Sequence, residues 1–105
     1  MVLIPSICFS ATWLLTASWT ANTETDMKEY QLFRTDGTRV LIGTIPHPTA
    51  TYDFSVTAPD GEDYTLTFAL VAVDTAGNKS PDATAPFLSN LKPPAVPKGF
   101  GIIKR

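Results

Sequence analysis

The sequence predicts an all-β fold, an antiparallel sandwich of about seven short strands. Apolar and polar residues alternate with a period of two in several segments, and turn residues separate these segments at intervals of roughly ten residues. No segment shows the capped, 3.6-residue periodicity of an amphipathic helix. The 105 residues fit one domain, and a hydrophobic share of 44% is normal for a globular core.

The distribution of charge argues against nucleic acid and membrane partners. The net charge is −2 and no basic patch occurs, so we expect no nucleic-acid binding. The first 23 residues carry no charge, which raises the alternatives of a signal peptide or a membrane span. A signal peptide needs a basic start, and polar residues interrupt the apolar run that a span requires. We therefore expect strands there, without membrane insertion, and we interpret the single Cys8 as a small buried hydrophobe.

The first clear strand runs from Trp13 to Trp19, and its odd positions form one apolar face. Leu14 is the exception among the even positions, and we expect it to face outward. Residues 21–26 are polar turn material, and a second strand begins at Glu29. This strand places Tyr30 and Leu32 on one face, so a tryptophan and a tyrosine meet between two sheets.

Turn residues divide the rest of the chain into four further strands. The Asp36-Gly37 pair predicts a hairpin that leads into a strand at 40–42, followed by a connection over 43–49. Residues 51–57 alternate again, and a Pro-Asp-Gly turn follows at 59–61. The longest strand, 64–74, has Leu66, Phe68, Leu70 and Ala72 on one face. Residues 83–88 form the last strand, which Pro86 marks as an edge.

These residues together resemble a fibronectin type III domain of the kind common in bacterial secreted proteins. The matching features are Trp19, the polar turn at 23–26, Tyr30, and the run Ala-Val-Asp-Thr-Ala-Gly-Asn-Lys-Ser at 72–80. The resemblance covers most of the chain, from Pro5 to Leu88. It implies an immunoglobulin-like sandwich with fibronectin type III topology over residues 1–90, located outside the cell or on its surface.

Two positions depart from the family pattern at one corner of the predicted sandwich. Leu66 stands where the family has a corner tyrosine, and Tyr64 lies two residues earlier on the same face. Ala58 stands where the family has a leucine. Either the strand is longer by one pleat, or the tyrosine makes its hydrogen bond from a shifted position.

The C-terminal residues 91–105 form a Pro-rich segment with two interpretations. The segment is a linker with the start of a following repeat, or it is a disordered Pro-rich tail. Val96-Pro97 with Phe100 echoes Ile4-Pro5 with Phe9 near the N-terminus. A real echo would make the natural protein a tandem array of such domains.

No set of residues for catalysis, a cofactor or a metal stands out in the sequence. His47 is the only histidine, and we interpret it as an exposed loop residue. The acidic residues Asp60, Glu62 and Asp63 are interpreted as a solvated turn, because a calcium site needs six or more converging oxygens. We expect a protein without enzymatic activity.

Two functions remain open on the sequence. The first is a non-catalytic spacer or protein-interaction module in a larger extracellular protein, whose partners are the neighbouring domains. The second is a module that binds a polysaccharide or another protein. The structural core is expected to comprise Trp19, Tyr30, Leu32, Tyr64, Phe68 and Leu70. The surface for a ligand would comprise Trp13, Phe33, Asp74 and Asn78.

Overall fold

The structure, a computed structural model, describes residues 10–59, 63–89 and 94–105. The prediction of an all-β fold is confirmed, because the described residues form six strands and no helix. The strands are β1 (Ser10–Ser18), β2 (Met27–Arg34), β3 (Val40–Pro46), β4 (Thr51–Pro59), β5 (Tyr64–Asp74) and β6 (Ala83–Ser89). Some predictions lie wholly or partly outside the described residues: a strand before Ser10, the burial of Cys8, the turn at 59–61, and the acidic residues Asp60 and Glu62.

Every strand pairs antiparallel with its neighbours, and the strands form two sheets. One sheet has two strands, β1 and β4, which pair from Ser10 opposite Pro59 to Ser18 opposite Thr51. The other has four strands in the order β3-β2-β5-β6. Two of the pairs join consecutive strands: a five-residue loop connects β2 and β3, and residues 75–82 connect β5 and β6. The β1–β4 and β2–β5 pairs are far apart in sequence, and turn chemistry does not predict them.

The two sheets share one hydrophobic core, which gives a sandwich-like arrangement. Its buried members come from four strands and are Tyr30, Leu32, Ile45, Val56, Ala58, Leu66 and Phe68. Trp19, Tyr64 and Leu70, the other residues expected in the core, lie partly buried against this cluster. Trp13, Leu15 and Ala17 of β1 are also turned toward it, whereas Leu14 is 86% exposed. The alternation along β1 therefore matches the predicted faces.

The central strand β5 is buried on both of its faces, which the period-two pattern did not predict. Its even residues face the core, yet Ala69, Val71 and Val73 on the opposite face are also buried. The register places Ala69 between Phe33 of β2 and Thr84 of β6, so neighbouring side chains cover it. The residues from Phe68 to Val73 are all apolar, and such a continuous run is expected of a strand that is covered on both faces.

The prediction that residues 43–49 form a connection is wrong for its first half. Strand β3 continues through Gly43 to Pro46, and Pro46 lies opposite Glu29 of β2. Since β3 pairs only with β2 among the described strands, it tolerates a proline without a backbone N–H. Gly43 has a separate role: a Cβ atom there would lie 2.6 Å from the hydroxyl oxygen of Tyr52.

Trp19 and Tyr30 meet in the core as the sequence predicts. Their ring centroids are 5.2 Å apart and their planes meet at 60°, an edge-to-face contact. The Tyr30 hydroxyl oxygen accepts a hydrogen bond of 2.7 Å from the backbone N–H of Asn22. The interpretation of His47 as exposed is wrong, because the ring is half-buried and its Nε2 lies 2.8 Å from the Asn22 carbonyl oxygen.

Replacement of Trp19 by alanine should destabilise the fold by about 3 kcal/mol, near the lower end for a core aromatic because the ring is only partly buried. Chemical denaturation of the variant and the wild type measures the difference. Leu14→Ala is the matched control on the outer face of β1 and should stay within about 0.5 kcal/mol of the wild type. A cost below about 1 kcal/mol for Trp19→Ala would contradict its place in the core.

Gly43→Ala should destabilise the protein by about 1–3 kcal/mol, because the added methyl group overlaps the Tyr52 ring. Tyr52 cannot move freely, since its ring stacks on Phe54 with centroids 6.3 Å apart. In a double-mutant cycle, the cost of Gly43→Ala should fall when Tyr52 is already alanine. Gly37→Ala is the control, because a Cβ atom at that position meets no atom within 4 Å.

Candidate functional site

The four residues predicted to form a ligand surface lie in three separate places. Trp13 is on the inner side of β1, Phe33 is on the outer side of the four-stranded sheet, and Asp74 and Asn78 share the loop after β5. The structure therefore brings only Asp74 and Asn78 together. Each place has its own geometry.

Trp13 belongs to the interface between the two sheets. Its ring meets Phe87 of β6 edge-on, with centroids 5.6 Å apart. Its indole Nε1 is buried and has no hydrogen-bond partner among the described residues. Trp13, predicted as part of a ligand surface, is therefore partly buried, and its polar atom does not face solvent.

Phe33 lies on the outer face beneath an arginine. The guanidinium carbon of Arg39 is 4.1 Å from the centre of the Phe33 ring, in cation–π geometry. Arg39 also donates two hydrogen bonds to the Asp82 carboxylate, of 2.7 and 3.0 Å. This pairing lowers the pKa of Asp82. One arginine thus joins the β2–β3 hairpin, the outer face and the residue before β6.

The loop after β5 is closed by the carboxylate of Asp74. Its Oδ1 accepts from the backbone N–H groups of Ala76 and Asn78, at 3.0 and 2.8 Å. Its Oδ2 accepts from the Asn78 side-chain amide at 3.0 Å. Gly77 has a φ of +86°, a conformation that favours glycine, and its N–H donates to the Asp74 carbonyl oxygen. Both carboxylate oxygens are therefore engaged within the loop.

The hydrogen bonds to Asp74 set its acidity. The Asn78 side-chain amide, helped by backbone N–H groups of the loop, holds the pKa of Asp74 below its usual value. The loop is further tied to the sheet by Ser80, whose hydroxyl oxygen accepts from the backbone N–H of Ala72. The backbone N–H of Ser80 donates to the carbonyl oxygen of Ala72. These bonds give the run at 72–80 a structural explanation: the residues shape the turn between β5 and β6.

A second polar cluster surrounds Tyr64, the first residue of β5. The Tyr64 hydroxyl donates to the Asp36 carboxylate at 3.1 Å, and Arg34 donates two bonds to the same carboxylate. Burial disfavours the charged form of Asp36, yet these donors hold its pKa below the usual value. Arg34 also donates to the Thr57 carbonyl oxygen of β4 at 2.9 Å. Tyr64 thus joins the start of β5 to the loop between β2 and β3.

An apolar groove lies between β1 and β6, where the two sheets are open to solvent. It encloses about 430 Å³ and is lined from both strands, by residues that include Leu15, Ala17, Trp19, Ala83, Ala85 and Phe87. By register, Ala83 faces the same side as Leu70, and Ala85 the same side as Phe68. Both alanines are nevertheless exposed, so none of the residues that the structure describes covers the inner face of β6 along this edge. The groove could not be predicted from the sequence, because it depends on which strands become neighbours.

The stability that Asp74 contributes should depend on pH. Because its folded-state pKa is depressed, the contribution is complete above the unfolded-state pKa of about 4 and is lost as the pH falls through the folded-state value. Asp74→Asn should lower the melting temperature at pH 7, and the difference from the wild type should vanish in strong acid. Thermal unfolding across the acid range measures this, with Thr75→Ala in the same loop as control. A difference independent of pH would contradict the assignment.

Neither a metal-ligand cluster nor a membrane-spanning helix occurs in the part of the chain that the structure describes. No group of three or more His, Cys, Asp or Glu residues converges there, and no helix there is long and apolar enough to cross a bilayer. Asp60 and Glu62 of the predicted acidic turn lie outside the described residues. Comparison with known proteins found no matching family model, no matching curated protein and no matching solved structure.

Proposed function

We propose that this chain is a fibronectin type III domain that serves as a non-catalytic spacer or protein-interaction module in a larger extracellular protein. The proposal is supported by the contacts of the residues on which the family resemblance depends. Trp19 and Tyr30 pack against each other, and Asp74 and Asn78 close a loop. In each case the side chain stabilises the sandwich.

The order of the strands supports the family assignment. In an immunoglobulin-like sandwich of seven strands, the second and fifth strands lie in one sheet, and the third and sixth are neighbours in the other. If one strand precedes β1, the pairs β1–β4 and β2–β5 correspond to these. The β6 strand then takes the place of the seventh strand, beside the sixth. The proposed topology therefore needs one strand N-terminal to β1.

The polar contacts between distant segments suit a domain that must keep its shape. Arg34 connects β2 to β4 and to the hairpin, and Arg39 connects the hairpin to the start of β6. Such bonds fix the relative positions of the loops, which is what a spacer requires of a small sandwich. The Pro-rich residues 91–105 are proposed as the linker to a following domain of the same kind.

The natural sequence on either side of this segment tests the spacer role. A neighbouring domain with its own Trp–Tyr pair and Asp-x-Ala-Gly-Asn loop is the expected result. A two-domain protein expressed from that sequence should then show the unfolding transition of each domain by calorimetry. Flanking sequence without a folded neighbour would overturn the proposal.

A second candidate function is recognition of a protein or polysaccharide through the outer face of the four-stranded sheet. The observation that favours it is the stack of Arg39 on Phe33, with Leu41 half exposed opposite Phe33. Arginine and aromatic residues are enriched among the residues that dominate binding energy at interfaces. Of the residues predicted as a ligand surface, Phe33 therefore fits the role best.

A retention assay should distinguish the two functions. The wild type and Phe33→Ala are passed over insoluble polysaccharides and immobilised extracellular proteins, with Leu14→Ala as a control on the other sheet. A binding module should be retained, and Phe33→Ala should bind at least about tenfold more weakly. A spacer should give no retention, and the three proteins should behave alike.

A further inference from the structure

Asp36 precedes Gly37 in the loop between β2 and β3, and this pair of residues has a chemical reactivity of its own. The backbone nitrogen of the residue after an aspartate can attack the side-chain carboxyl carbon, because the two atoms close a five-membered ring. A glycine in that position favours the attack, since it has no Cβ atom to crowd the nitrogen. The pair is therefore a candidate site for the isomerisation of aspartate.

The isomerisation takes two steps and needs no co-reactant other than water. In the first step a bond forms between the Gly37 nitrogen and Cγ of Asp36, and one carboxyl oxygen leaves Cγ as water. That water carries the proton of the nitrogen and the proton of the carboxyl group. In the second step water opens the cyclic imide. Opening at the side-chain carbonyl carbon restores aspartate, whereas opening at the main-chain carbonyl carbon gives isoaspartate.

The attacking nitrogen is accessible in the structure. Gly37 is exposed, and a Cβ atom added there would meet no atom within 4 Å. Among the described residues no hydrogen bond engages its backbone N–H. The preceding Thr35 is fixed, because its N–H donates to the Thr67 carbonyl oxygen of β5 at 2.8 Å. Protection against the reaction must therefore come from the carboxyl group.

The Asp36 carboxylate is held by three hydrogen bonds. Its Oδ1 accepts from Nε of Arg34 at 2.9 Å, and its Oδ2 accepts from Nη2 of Arg34 and from the Tyr64 hydroxyl, both at 3.1 Å. The Asp36 side chain is only 7% exposed. Arg34 is itself anchored, since its Nη1 donates to the Thr57 carbonyl oxygen at 2.9 Å. Ring closure requires the carboxyl carbon to reach bonding distance of the Gly37 nitrogen, and this movement breaks the bonds.

The same donors keep the carboxyl group in its less reactive form. The oxygen leaves as water only when the carboxyl group carries a proton. Burial disfavours the charged form of Asp36, yet the hydrogen bonds from Arg34 and Tyr64 hold its pKa below the usual value. Position and charge state therefore act in the same direction.

We propose that Asp36-Gly37 is a site of isoaspartate formation, which the hydrogen bonds from Arg34 and Tyr64 suppress in the folded protein. Isomerisation lengthens the main chain of the loop by one carbon atom and moves the carboxylate onto Cα of residue 36. The carboxylate then loses its place beside Arg34 and Tyr64, and the modified protein should be less stable. This inference goes beyond the proposed spacer role and does not depend on it.

Incubation of the full chain at neutral pH, in buffer and in guanidinium chloride, tests the proposal. Trypsin then releases Asp36 in a peptide of residues 35–39, apart from the second Asp-Gly pair at 60–61. Chromatography separates the isoaspartate form of this peptide, which has an unchanged mass. Isoaspartate should form at least about tenfold more slowly in the folded protein, because hydrogen bonds to a charged group must first break.

Substitutions in the folded protein identify the protecting contacts. Arg34→Gln should raise the rate at least about fivefold, and Tyr64→Phe, which removes a single donor, should raise it less. Asp82→Asn is the matched control, because it removes the ion pair of Arg39 in the same loop and leaves the bonds to Asp36 in place. It should react like the wild type. Circular dichroism verifies folding, and if Arg34→Gln is unfolded, the comparison of Tyr64→Phe with the wild type decides.

Gly37→Ala verifies the chemistry, since a methyl group beside the nitrogen should slow the reaction in guanidinium chloride. Three results would overturn the proposal: equal rates in the folded and unfolded wild type, a folded Arg34→Gln variant that reacts no faster than the wild type, or an equal rise in Asp82→Asn. The last result would assign protection to the loop as a whole. None of these results bears on the spacer role, so the two proposals fail separately.

Discussion

The edge-to-face contact between Trp19 and Tyr30 is the interaction on which the arrangement of the two sheets depends. Trp19 follows the last residue of β1 and continues its pairing with β4 through Ala50. Tyr30 lies in β2 of the other sheet, and its hydroxyl holds the backbone of the intervening loop at Asn22. A single aromatic pair therefore fixes two sheets and the loop between them. Among the described strands β1 pairs only with β4, so this contact at its end is important for its position.

The central strand β5 imposes a second constraint, because both of its faces must be covered. The inner face meets the core, and the outer face is sheltered by its neighbours, with Phe33 beside Ala69. Arg39 covers the outer side of the Phe33 ring, because its guanidinium group stacks on that ring. Its ion pair with Asp82 holds the guanidinium group in this position. Phe33 and Ala69 therefore form a small apolar layer on the outer face of the sheet, and the Arg39 side chain covers it.

Local pattern was sufficient to predict most strands but not their long-range contacts. Alternation and turn residues place β1, β2, β4, β5 and β6 close to where they occur. The pattern failed at Gly43 and Pro46, because residues that interrupt a central strand are tolerated at an edge. Gly43 has a reason to be glycine only once Tyr52 is beside it. Arg39 and Asp82 are 43 positions apart, and no spacing rule links them. The groove likewise arises from neighbours that only the folded topology creates.

The β1–β4 register has a consequence for the order of folding. The hairpin of β2 and β3 closes over five residues, whereas β1 and β4 pair across separations of up to 49 positions, as at Ser10 and Pro59. Long separations cost more chain entropy before any contact offsets it, and they slow folding. The β2–β5 pair of the four-stranded sheet spans up to 47 positions, as at Met27 and Asp74, so we expect both long-range pairs to close after the hairpin. Brief local openings of these pairs expose the interior to proteases and to exchange with solvent deuterium.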